Sequence, residues 1–264
     1  MMPPQPEFVV VLCRAREPGN VGAACRALAA MGLSDLVLAD CPDYPEAPVR
    51  TFALAAYPLF EAARRFGTLR EALADCALAA GFTRRTGRLR VREPRDVTEF
   101  ARDAVRRSGR IALVFGNEAD GLSASELALC DLAVRIPTSE VFPSLNLAQA
   151  VQIAAWELAR ARAETGRTAP TPEVPGDAAD AGAEAGSAGA AGEAPASRAE
   201  ILRAVEAAAD DLARAGFFKI SGRPDLVRFL RTLLARAGAS GRELEYLRRI
   251  LGKAAALSGR RPEP

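Results

Sequence analysis

The chain has 264 residues, 49% of them hydrophobic, with a formal net charge of +2, five cysteines and no histidine. That apolar share supports one sizeable core plus a small second unit, and no run approaches the roughly 18 apolar residues of a membrane span. Without histidine, Ser-His-Asp and Cys-His hydrolysis are excluded, and any proton transfer falls to Asp, Glu, Lys, Tyr, Cys, Arg or the substrate itself.

The opening residues, Met-Met-Pro-Pro-Gln-Pro-Glu-Phe, carry no basic n-region and no apolar h-region, so a cytoplasmic location is expected. The cysteines at 13, 25, 41, 76 and 130 have no C-x-x-C spacing. They read as reduced, mostly buried thiols, and no metal site is expected. Charge is unevenly spread. Residues 198–264 hold fourteen Lys/Arg against eight Asp/Glu, and residues 165–197 hold one Arg against five acids. A basic tail behind an acidic stretch hints at a polyanionic partner.

In chain order, Phe8–Cys13 is a continuous, β-branched apolar run that predicts a strand buried on both faces, hence a parallel sheet. Arg14 to Gly19 forms a turn. A helix follows from Asn20 to about Met31, with Gly32 as its C′ residue. Leu36–Ala39 is a second strand. Residues 45–75 read as helical pieces, with a capping box at Thr68 and Glu71. Cys76–Gly81 is a third strand. Five arginines then fall between Arg84 and Arg92, directly after the strand end. They read either as a solvated loop or as a loop that grips phosphate.

Asp96 begins a helix to about Arg107, and Ile111–Phe115 is another buried strand. Ser123 caps a short helix, because Glu126 follows three residues on. A strand over 132–136 leads through a tight loop into a long helix from about Leu145 to Ala163, with Leu147, Val151, Ala154, Ala155 and Leu158 as its core stripe. Trp156 is expected to pack against something large, such as a partner subunit. Alternating strands and helices give an α/β fold with a mainly parallel sheet and helices on both faces. No G-x-G-x-x-G or Walker A lysine is present, so the common nucleotide-binding folds are unsupported. Residues 165–197, mostly Ala, Gly, Glu, Asp and Pro, read as a flexible linker. Three helical stretches follow at 198–215, 224–237 and 240–257, a small α-helical unit whose core is marginal alone. The expected division is therefore 1–164, 165–197 and 198–264.

Three loops stand out. They are Asn20-Val21-Gly22 with Arg26, then Phe115-Gly116-Asn117-Glu118-Ala119-Asp120-Gly121-Leu122, then Ile136-Pro137 with Pro143-Ser144-Leu145-Asn146-Leu147. Each begins at or just after a strand end, where open α/β sheets place ligands. In this order they resemble the three signature motifs of the SpoU branch of the SPOUT RNA methyltransferases. The C-terminal unit, with Gly216-Phe217-Phe218 and its leucine/arginine helices, looks like the tail of the TrmJ-type tRNA methyltransferases.

The resemblance implies a C-terminal trefoil knot, S-adenosylmethionine held by three loops, and a homodimer whose active site uses both subunits. It also implies methylation of the 2′-hydroxyl at the first nucleotide of the tRNA anticodon loop, on C or U at position 32. Carried onto this chain, the cofactor residues are Phe82, Thr83, Arg84, Gly116, Ile136, Pro143, Ser144 and Leu145. The catalytic positions are Asn20, Arg26, Glu118, Ser144 and Asn146, and the RNA-gripping arginines are Arg26, Arg84, Arg85, Arg88 and Arg90. Guanidinium stays protonated, so the expected part for Arg26 is to clamp phosphate and hydroxyl and stabilise a developing alkoxide, while a phosphate oxygen accepts the proton. Asn20 would orient the same corner, and Glu118 and Asn146 would organise the loops. Ala23 stands where a small hydroxyl residue is frequent in the family. An rRNA 2′-O-methyltransferase and a non-catalytic RNA-binding paralogue remain as other readings.

Overall fold

The computed structural model describes residues 5–84, 93–166, 194–218 and 222–258. The described strands are β1 (Glu7–Cys13), β2 (Asp35–Ala39), β3 (Arg64–Phe66), β4 (Leu78–Phe82), β5 (Arg95–Asp96), β6 (Arg110–Phe115) and β7 (Leu132–Arg135). They form one parallel sheet in the order β3-β2-β1-β6-β4-β7-β5. The helices are α1 (Pro18–Ala30), α2 (Glu46–Ala53), α3 (Tyr57–Glu61), α4 (Leu69–Ala72), α5 (Val97–Ala104), α6 (Ala124–Leu127), α7 (Leu147–Glu164), α8 (Arg198–Arg214), α9 (Arg223–Ala237) and α10 (Gly241–Ser258).

The continuous apolar run of β1 has a direct cause. Phe8, Val10 and Leu12 enter one core with α1, α2, α5 and α7, while Val9, Val11 and Cys13 enter a second core with α4 and α6. Side chains alternate along a strand, so a strand covered on both faces must be apolar at every position. The expected α/β architecture is present, with corrections at the ends. Pro18 starts α1 two residues before Asn20, as suits a first-turn proline. The third predicted strand begins at Leu78 rather than Cys76. Two strands were not expected: β3, inside the stretch read as helical, and the two-residue β5. Ser123 and Thr68 make the capping boxes their spacing implies.

Residues 167–193 of the expected linker lie outside the described residues. Beyond them, α8, α9 and α10 enclose a small core of Ile201, Val205, Ala235 and Leu244. This unit is docked on the sheet domain. The first N–H groups of α8, which have no partner within a helix, donate to that domain: Arg198 to the Cys76 carbonyl at 2.8 Å and Ala199 to the Ala74 carbonyl at 3.1 Å. The Arg198 guanidinium pairs with buried Asp131 and also donates to the Leu129 carbonyl. Arg231 donates to the Ala128 carbonyl at 2.7 Å, and Arg107 donates to the Arg236 carbonyl at 2.9 Å.

Candidate active site

The C-terminal ends of β4, β6 and β7 open into a cleft continuous with solvent. Phe82 and Phe115, the last residues of β4 and β6, stack with ring centroids 4.4 Å apart and form its floor. Thr83, Arg84, Gly116, Ile136, Thr138, Pro143, Ser144 and Leu145 complete the wall and rim. All eight residues expected to hold the cofactor therefore line one cleft.

The Gly116–Leu122 loop closes on itself. Asn117 Oδ1 accepts from the Asp120 N–H at 2.7 Å, and the Asn117 carbonyl accepts from the Gly121 N–H at 3.0 Å. Gly121 has φ of 66°, which disfavours any side chain. A Cβ on Gly116 would overlap the Gly121 backbone, so the two strands of the loop touch directly. Glycine is thus required at Gly116 by packing and at Gly121 by backbone conformation, and both line the cleft wall with backbone alone.

From this loop Glu118 reaches the start of α1. Its carboxylate accepts from the backbone N–H groups of Arg16 and Glu17, each at 3.2 Å, and from Asn20 Nδ2 at 3.1 Å. A negative charge is favoured at that helix end. Asn20 Oδ1 accepts in turn from Asn146 Nδ2 at 2.8 Å, and Asn146 Oδ1 accepts from the Ala148 N–H at 2.9 Å. The carboxylate can only accept, so it fixes the orientation of both amides. Asn146 is the N-cap of α7, in a capping box with Gln149. One hydrogen-bonded series, Glu118–Asn20–Asn146, therefore ties the three motif loops together.

The remaining expected residues divide. Ser144 is exposed on the cleft rim. Arg26 is exposed on α1, does not line the cleft, and has no hydrogen bond or ion pair among the described residues. It lies six residues beyond Asn20, about 9 Å along the helix axis at 1.5 Å per residue. Arg84 lines the cleft, whereas Arg85, Arg88 and Arg90 lie outside the described residues. Four residues were missed by sequence reasoning: Asn117, Thr138, Arg14 and Glu126. Thr138 lines the cleft and donates to the Pro143 carbonyl at 3.2 Å. Asn117 sits inside the second motif and Thr138 between the two quoted pieces of the third, which is the signal that could have found them. Arg14 and Glu126 pair across more than a hundred residues, and no local spacing announces that.

Comparison with known proteins agrees with this geometry. The SpoU rRNA Methylase family matches residues 7–156. The chain is 39% identical over 151 residues to a tRNA (cytidine/uridine/adenosine-2′-O-)-methyltransferase TrmJ of Pseudomonas aeruginosa, covering 56% of this chain and 59% of that protein. It is 32% identical over 254 residues to a tRNA (cytidine/uridine-2′-O-)-methyltransferase TrmJ of Yersinia pestis, covering 92% of this chain and 89% of that one. The crystal structure of TrmJ from Z. mobilis ZM4 superposes with a TM-score of 0.70 at 28% identity, covering 93% of this chain and 98% of that one. The chain therefore belongs to the SpoU methylase family of RNA methyltransferases, in its TrmJ-type tRNA 2′-O-methyltransferase branch.

Proposed function

We propose that this protein methylates the ribose 2′-hydroxyl of C or U at position 32, the first nucleotide of the tRNA anticodon loop, acting in the cytoplasm as a homodimer. The observation that carries the reading is the Glu118–Asn20–Asn146 series, which ties the start of α1 to the two motif loops that line one cleft. S-adenosylmethionine is the donor, and its sulfonium supplies an electrophilic methyl group. The cleft suits such a group: an aromatic floor, bare backbone at Gly116, and polar side chains at Thr83, Arg84, Thr138 and Ser144 on the rim. Phe82, Gly116, Ile136, Pro143, Ser144 and Leu145 would hold it.

The protein's own task is then positioning. Glu118 and Asn20 hold the loop ends in register. Arg26 clamps the RNA phosphate beside the target ribose and stabilises the oxygen as it loses its proton, which passes to a phosphate oxygen. Arg26 stands away from the cleft of its own chain, and this supports a shared site in which a second copy supplies the guanidinium. Phe52, Leu54, Val141, Phe142 and Trp156 are large apolar side chains left exposed on α2, the turn after it, the cleft loop and α7. α1 packs against α2 and α7, so a partner covering these residues would also meet Arg26. On this reading the trefoil knot lies where residues 136–146 carry the chain from β7 to α7.

The test is methyl transfer to a tRNA transcript with mass mapping of the modified nucleotide. Wild-type protein should modify position 32. Arg26→Ala should lose at least about a hundredfold in kcat while binding the donor normally, because Arg26 touches neither cleft nor core. Undiminished transfer by Arg26→Ala would sink the mechanism. Modification confined to rRNA would favour the reading suggested by the family's description as rRNA methylases.

A further inference from the structure

We infer that Arg14 is a positioning residue for the donor cleft: its guanidinium, forked onto Glu126 and hydrogen-bonded to the Gly121 carbonyl, holds the loop wall that Gly116 and Gly121 form. The inference rests on the proposed use of that cleft by S-adenosylmethionine.

Arg14 immediately follows β1 and has φ of 54°, a left-handed conformation costly for a residue with a Cβ. Its backbone N–H donates to the Ala39 carbonyl of β2 at 2.9 Å, which fixes the turn. From there the side chain crosses to the far loop. Nε meets Glu126 Oε1 at 2.5 Å, Nη2 meets Oε2 at 2.9 Å, and Nη2 also donates to the Gly121 carbonyl at 3.2 Å. A bidentate Arg–carboxylate pair fixes orientation as well as distance.

Glu126 is itself immobilised. Its Oε2 accepts from the Ser123 N–H at 2.7 Å, the Ser123 hydroxyl accepts from the Glu126 N–H at 3.2 Å, and the Cys13 thiol donates to Oε1 at 3.4 Å. Burial pushes this carboxyl up, but the Arg14 and Ser123 hydrogen bonds outweigh it and hold the group at about 2. The pair is therefore charged throughout the neutral range. Arg14 does not line the cleft. It acts through Gly121, whose backbone lies against Gly116 with no room for a Cβ between them. A carbonyl pulled toward β1 sets where Gly116, and the backbone beside it, face the donor.

Two variants test this. Arg14→Gln removes the fork. Glu126→Gln removes the charge while keeping a side chain that can serve the Ser123 capping box. Two readouts are taken on the full-length protein: amide hydrogen exchange over residues 116–122 without ligand, and steady-state methyl transfer with both substrates varied. Both variants should exchange about tenfold faster in that segment. Both should raise KM for S-adenosylmethionine about tenfold while leaving kcat and KM for tRNA within about threefold. Unchanged exchange, or a loss that appears only in kcat or in thermal stability, overturns the role. If the wild-type protein binds no S-adenosylmethionine, the functional reading fails, and exchange alone still decides whether Arg14 holds the loop.

Discussion

Glu118 accepts three N–H groups from the segment that opens α1, and Asn20 passes that order on to Asn146. Asn20→Asp makes a specific demand on this series. The new carboxylate would lie about 3 Å from Glu118, where two like charges resist ionising together. Asn20→Asp should therefore lower kcat at saturating substrates below wild type; an unchanged kcat would show that the two groups do not face each other. The thiols make a second case. Burial pushes Cys25, Cys76 and Cys130 up to about 12. Alkylation at pH 8 should be far slower at these positions in the folded protein than in denaturant. Reduced, mostly buried thiols were legible from spacing alone. The direction of the Asn20 and Asn146 amides was not, because only the Glu118 carboxylate on a distant loop decides it.

Among the elements, those with strong periodicity or caps were readable: β1, β6, α7 and the capped α4 and α6. β3 and β5 escaped notice because neither carries a pattern. β3 is Arg-Arg-Phe, an edge strand with exposed arginines, and β5 is only two residues. Their strand form is imposed by β2 and β7, not by their own propensity. The helix pair α1–α2 shows what a motif glycine can be for. A Cβ on Gly22 would overlap the Val49 carbonyl and crowd Phe52. Gly22→Ala should destabilise by about 2 kcal/mol or more, measured by urea unfolding; no loss would mean that α2 yields freely. α6 gives a pH prediction. Glu126 is held well below an ordinary carboxyl, so its contribution is present above about pH 4.5 and is lost as pH falls toward 2. Glu126→Gln should remove that part of the acid-dependent loss, seen as a flatter plot of unfolding free energy between pH 4.5 and 2.

At the scale of the molecule, composition revealed a basic helical tail behind a low-complexity stretch but not how the tail is seated. Arg198 reads in sequence as the first residue of a helix, and Asp131 stands just before the strand at 132–136. Together they form a joint. Asp131 Oδ2 accepts from the Ala79 N–H of β4 at 2.9 Å and pairs with Arg198. Removing one member of a buried pair costs about 3–5 kcal/mol, because the other charge is stranded. Arg198→Ala should lose that much in urea unfolding, and a loss below about 1 kcal/mol would show that water already reaches Asp131.

The same joint ranks two kinds of damage. A chain cut after residue 166 loses the guanidinium together with the helices that roof Asp131, so the bared carboxylate is hydrated. Arg198→Ala leaves those helices in place over a carboxylate that is only 2% exposed and has lost its partner. Trimming the whole tail should therefore spare the sheet domain more of its melting temperature than shaving a single side chain does.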